Sequence, residues 1–234
     1  MSNPYTLFQE ARSKNEKLLA VLVDPDKFDI DEAAQFLRKL PAATTHIFVG
    51  GSTVRLGETE KLVKALKWAT AKPILIFPGD VNQISAEADG LLFLSLLSGR
   101  SAEYLIGQQI RAVRPLRETK LPSISTGYIL IDGGNQSAVQ RVTGTLPMPQ
   151  EDIQEVVDTA KAGELIGNKL IYLEAGSGAV TPVSAEIIAA VRSELSIPII
   201  VGGGIRTEEQ KQVAYSAGAD MVVMGTAFEG ENDE

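Results

Sequence analysis

The chain has 234 residues, 44% hydrophobic and 22% charged, with a formal net charge of -8 and no cysteine. That length and balance fit one soluble globular domain with a sizeable core. The negative charge disfavours non-specific binding to nucleic acid or an anionic membrane, and the missing cysteines exclude a disulfide framework and a thiolate zinc site.

The polar N-terminal stretch 1–17 does not read as a signal peptide, and no apolar run reaches the ~18 residues of a membrane span. These features predict a cytoplasmic protein with at most peripheral membrane contact. A first helix over 4–15 caps one end of the fold, and strand 18–23 follows. Strand 18–23 runs straight into Asp24-Pro25-Asp26-Lys27. A carboxylate at the end of a buried strand needs a partner or a metal, and magnesium takes one or two carboxylates plus substrate phosphate oxygens. The same residues also read as a polar turn with Asp26 as a helix cap and Lys27 as a counter-ion. After helix 30–40, strand 46–49 starts at the sole histidine, His46, a structural residue at the floor. It ends in Gly50-Gly51-Ser52-Thr53, where Ser52 serves either a metal-bound diphosphate or an N-cap.

Helix 59–70 leads to strand 74–77, and only about a dozen residues, 78–89, separate that strand from the next. A full crossover helix does not fit comfortably there, so the third helix is predicted to be shortened or replaced, leaving a gap in the outer shell. Strand 90–96 carries Leu92, Leu94, Leu96 and then Leu97 down that gap. Tyr104 follows on helix 102–116, either as a floor that stops an apolar chain or as an aromatic that packs the helix.

Strand 123–131, helix 152–166 and strand 170–173 come next. Strand 170–173 feeds Tyr172-Leu173-Glu174-Ala175-Gly176-Ser177-Gly178. Alternation puts Tyr172 and Glu174 on one face, as a base with an orienting hydroxyl or as a buried structural pair. Helix 184–195, strand 199–201 with Gly202-Gly203-Gly204, helix 208–217 and strand 221–224 with Gly225-Thr226 complete the pattern. The tail 228–234 is too short and acidic for a normal closing helix. Eight near-continuously apolar strands alternating with helices predict one α/β domain over 1–234, a closed (β/α)₈ barrel. In such barrels the loops after strands 7 and 8 often bind phosphate on backbone amides. No Ser-His-Asp arrangement can be built, and the dinucleotide Gly-x-Gly-x-x-Gly spacing is missing.

The stretches LAVLVDPDK, IFVGGSTV, YLEAGSG, VGGGI and MGT together resemble the geranylgeranylglyceryl phosphate synthase family and its bacterial heptaprenylglyceryl relative. The resemblance runs from residue 19 to 229. It implies a modified TIM barrel with the third helix replaced, and transfer of a polyprenyl diphosphate onto sn-glycerol 1-phosphate with Mg²⁺. By matching position it implies that Asp24 and Ser52 hold the metal and Glu174 is the base. Tyr172, Leu173, Glu174, Ala175, Gly176, Ser177, Gly178, Gly203, Gly204, Gly225 and Thr226 then hold glycerol phosphate. Some relatives have a lysine two residues before the metal aspartate, where this chain has Leu22. The missing helix offers a trough for the lipid, with Tyr104 as the stop for a C20 chain. A longer donor, a sugar-phosphate isomerase or lyase, and a non-catalytic phosphate binder stay open, and self-association is expected.

Overall fold

A computed structural model of the chain describes residues 3–225. Eight parallel strands close into a barrel in sequence order: β1 (Leu18–Val23), β2 (His46–Val49), β3 (Ile74–Ile76), β4 (Gly90–Leu96), β5 (Ser123–Leu130), β6 (Leu170–Glu174), β7 (Ile199–Gly202) and β8 (Met221–Met224). Closure runs through β1 and β8, where Leu18 pairs Met221. Every residue of β2, β3, β6, β7 and β8 is buried, as strands covered on both faces require.

The helices are α1 (Pro4–Ser13), α2 (Ala33–Lys39), α3 (Glu58–Ala69), α4 (Gln108–Thr119), α5 (Ala138–Thr143), α6 (Ile153–Leu165), α7 (Ala185–Glu194) and α8 (Glu208–Ala217). Helix α1 plugs the barrel floor: its Phe8 is 1% exposed and joins Ala20, Phe48, Leu75 and Met221 in the interior cluster. His46 packs its ring 5.5 Å from that of Phe8, and burial drives its pKa down to about 4. It is a floor residue, far from any chemistry.

The shortened third crossover is present. Between β3 and β4 the chain makes a single 3₁₀ turn, Val81–Gln83, capped by the Asp80 carboxylate accepting the Asn82 amide at 2.9 Å. Three expectations need correction. The segment 30–40 splits into a 3₁₀ turn, Ile30–Glu32, and α2, because Asp29 caps early by accepting the Asp31 amide at 3.0 Å. The segment 102–116 begins as a π-helical turn, Glu103–Gly107, before α4. Helix α5, capped by Ser137, stands where no helix was expected. The tail 228–234 and Thr226 lie outside the described residues.

Candidate active site

One cavity of about 410 Å³ opens at the C-terminal ends of the strands and continues down the outside of β4. Leu91, Leu92, Phe93, Leu94 and Leu96 all line it. A strand contributes consecutive residues to one cavity only where its outer face lacks a covering helix, and the 3₁₀ turn provides that gap. The cavity therefore has a polar mouth over the barrel and an apolar trough beside it.

Glu174 ends β6 and faces the mouth, 6% exposed. Burial pushes its pKa up to about 7, opposed by the Tyr172 phenol and the Gly176 amide. The amide donates to Oε1 at 2.8 Å. Tyr172 sits two residues earlier on the same face, its ring held 5.1 Å from Phe77 and 5.5 Å from Tyr128. Its hydroxyl lies near enough to Glu174 to hold that carboxyl down, yet it closes no hydrogen bond with any described protein group. A buried hydroxyl without a partner beside a carboxyl whose pKa is raised by burial is a position prepared for a polar ligand.

The glycine turns surround this pair. Gly203, at φ +82°, follows β7 so closely that a Cβ there would collide with Glu174 Oε1 and stand 2.6 Å from the Gly176 nitrogen. Gly204, Ser177, Gly178 and Gly225 line the cavity. The sequence did not single out Asn135. Its Nδ2 donates to the Gly178 carbonyl at 3.1 Å and ties the loop after β5 to the loop after β6. Leu173 and Ala175 belong to the same segment through their backbone, not their side chains. Alternation turns both side chains outward, into the core beneath α6 and α7, and neither lines the cavity.

Asp24 and Ser52 line the other side of the mouth. Burial raises the Asp24 pKa, with the Asp26 amide and then Lys27 pulling against it. Oδ1 accepts that amide at 3.1 Å. A Cβ on Gly51 would lie 2.9 Å from the same oxygen, so the loop after β2 packs directly onto the carboxylate. Gln83, 1% exposed, clamps that loop: Nε2 donates to the Gly51 carbonyl at 2.8 Å and Oε1 accepts its amide at 3.3 Å. The 3₁₀ turn that replaces a helix thus holds the rim. Asp26 instead accepts the Arg55 amide and Nε at 3.2 and 3.3 Å, outside the cavity.

Among the described residues no group of three or more His, Cys, Asp or Glu side chains is placed to hold a metal. A single carboxylate beside a hydroxyl is a hard-oxygen donor set of the size magnesium uses when phosphate oxygens complete its shell. Down the trough, Tyr104 lines the wall and donates its hydroxyl to the Val142 carbonyl at 3.2 Å. Leu97 does not line the trough and packs on the β6 side. No helix among the described residues is long and apolar enough to cross a membrane.

The model of the PcrB family matches residues 11–234. Geranylgeranylglyceryl phosphate synthase of Zunongwangia profunda is 54% identical over 220 residues, 94% of each chain. Its Flavobacterium johnsoniae namesake is 51% identical over 224 residues, 95% of this chain and 92% of that one. The crystal structure of (S)-3-O-geranylgeranylglyceryl phosphate synthase from Thermoplasma acidophilum, solved with sn-glycerol-1-phosphate, superposes with a TM-score of 0.92 at 35% identity. It covers 99% of this chain and 94% of that one. With the closed barrel, the shortened third crossover and the Tyr172–Glu174 mouth in place, these matches settle the grouping: the chain belongs to the PcrB family.

Proposed function

We propose that this protein joins sn-glycerol 1-phosphate to geranylgeranyl diphosphate through an ether bond, releasing diphosphate. The observation that carries this reading is that one continuous cavity joins a glycine-walled acid–base mouth to an apolar trough. The glycerol phosphate bound in the Thermoplasma acidophilum structure and the names of the curated relatives support it.

In this reading the glycine turns after β6, β7 and β8 grip the phosphate, and the acceptor hydroxyl rests against Glu174 and Tyr172. Glu174 takes the hydroxyl proton as the new C–O bond forms and the bond to diphosphate breaks. Such base catalysis contributes roughly 10²–10⁴, and its pKa of about 7 poises it for that transfer near neutrality. The unpartnered Tyr172 hydroxyl orients the acceptor. Holding both reactants in place contributes up to ~7–11 kcal/mol. Asp24 and Ser52 are the residues for Mg²⁺, which supplies charge neutralisation of the departing diphosphate as a Lewis acid.

The isoprenoid lies along β4, and Tyr104 sets how long it can be. Self-association belongs to the same reading, supported by the exposed Ile106 and Ile110 along the outer side of the π turn and α4. The test is an incubation with labelled sn-glycerol 1-phosphate, Mg²⁺ and C15, C20 or C35 diphosphate, followed by extraction into organic solvent. Labelled lipid with the C20 donor is the expected result, and no lipid with any donor refutes the reading.

A further inference from the structure

Among the described residues two cationic side chains line the cavity, Lys27 and Arg141, against three carboxylates, Asp24, Asp80 and Glu174. Lys27 follows β1 and belongs to the metal side: burial raises the Asp24 pKa, and the Lys27 charge pulls against it. Arg141 comes from α5, which follows β5, the strand opposite β1 in the closed barrel. It makes no ion pair with a carboxylate among the described residues.

Helix α5 has only six residues, too few to persist without tertiary anchors. Its start is fixed to the glycine turn after β6. Asn135 Nδ2 donates to the Gly178 carbonyl at 3.1 Å, and a Cβ on Gly176 would stand 2.7 Å from Ser137 Cβ. Its end is fixed to the trough, where Tyr104 donates its hydroxyl to the Val142 carbonyl at 3.2 Å. The guanidinium of Arg141 is folded back toward the mouth: Nη1 donates to the Gln136 carbonyl at 2.8 Å. Gln136 lies between Asn135 and Ser137, the two residues seated on the glycine turn. Nε and Nη2 make no hydrogen bond among the described residues. A guanidinium carries five N–H donors in a planar fork, and phosphate oxygens are acceptors that this fork fits.

We propose that Arg141 is a phosphate-binding residue, holding phosphate oxygens of bound substrate from the β5 side of the mouth, across from Asp24 and Ser52. This rests on the mouth being the place where the two phosphorylated reactants meet. An anion entering past three carboxylates needs offsetting charge. The amides of the glycine turns supply partial charges, whereas the guanidinium supplies a whole one. Two sources bring such oxygens, glycerol phosphate and the prenyl diphosphate, and separate binding measurements tell them apart.

The test is equilibrium binding to the parent and to Arg141→Met, which keeps an aliphatic stem and removes the charge. Arg141 is exposed, so the change leaves the core intact. Three probes are compared: sn-glycerol 1-phosphate alone, the non-reactive C20 thiolodiphosphate with Mg²⁺, and geranylgeraniol, which has the same tail without phosphate. The expected result is an affinity about tenfold lower for at least one phosphorylated probe, with geranylgeraniol within about twofold of the parent. The probe that weakens identifies the phosphate that Arg141 holds. Both phosphorylated probes within about twofold of the parent overturn the assignment. An equal loss of geranylgeraniol overturns it too, because Arg141 then acts through the packing of α5. Turnover is not needed: a parent that binds the probes without making lipid contradicts the proposed reaction and leaves this test intact, whereas a parent that binds neither phosphorylated probe overturns both.

Discussion

Glu174 and Gly176 form a closed turn in which the carboxylate Oε1 accepts the amide two residues downstream at 2.8 Å. The backbone therefore orients the base, and Gly203 after β7 passes so close that a Cβ there would collide with Oε1. Replacing Glu174 by Gln keeps the shape and the amide contact but removes the proton acceptor. Turnover should fall by roughly 10²–10⁴ while affinity for glycerol phosphate changes only a few-fold. In the parent, log kcat/KM should rise with pH and level off above about 7, as Glu174 ionises. An unchanged kcat in Glu174→Gln removes it as the base.

The same carboxylate predicts a stability signature. Its folded pKa of about 7 lies above the ordinary 4.5, so the folded state holds the extra proton and stability falls as pH rises from 4.5 to 7. His46 acts oppositely, because its pKa of about 4 lies below the ordinary 6.5 and stability rises with pH across 4 to 6.5. Each shift corresponds to about 3 kcal/mol, so between 4.5 and 6.5 the two slopes largely cancel. Glu174→Gln should unmask the histidine slope and be more stable than the parent at pH 8. Urea melts at pH 4.5, 6 and 8 measure this, and parallel profiles for the two proteins contradict it.

Gly203→Ala tests the close approach of β7 to the base. The residue sits at φ +82° with no room for a methyl group. A loss of about 1–3 kcal/mol in stability is expected from the backbone conformation alone. Turnover should drop further than stability explains, because the displaced atom is the carboxylate itself. Wild-type kcat in a folded Gly203→Ala protein contradicts this arrangement.

Gln83→Leu tests whether the 3₁₀ turn holds the metal-side rim. Losing both contacts to Gly51 should cost about 1–3 kcal/mol. The concentration of Mg²⁺ giving half-maximal rate should also rise, because Ser52 follows the clamped residue. Asp24→Asn should raise that concentration more, and EDTA should abolish parent activity. A Mg²⁺ dependence identical in Gln83→Leu and parent refutes the clamp as a functional element.

Much of this was legible in the chain because it depends on short-range rules. Eight apolar runs give eight strands, and the thirteen residues between β3 and β4 leave little room for a full crossover helix. Alternation alone places Tyr172 and Glu174 together. The same alternation turns the side chains of Leu173 and Ala175 into the outer core, so only their backbone can face the mouth. What stayed hidden depends on tertiary partners. Gln83 and Asn135 are ordinary amides in sequence, and their roles come from the loops that each amide ties together. The π turn at Glu103–Gly107 has no composition signal, since its residues fit an α-helical pattern equally well.

The most direct measurement of the central claim is a crystal structure of the protein soaked with sn-glycerol 1-phosphate. The account predicts phosphate density against Gly178, Gly204 and Gly225, with the free hydroxyl within hydrogen-bonding distance of Glu174 and Tyr172. Phosphate seated beside Asp24, or glycerol phosphate absent from the mouth at saturating concentration, contradicts it.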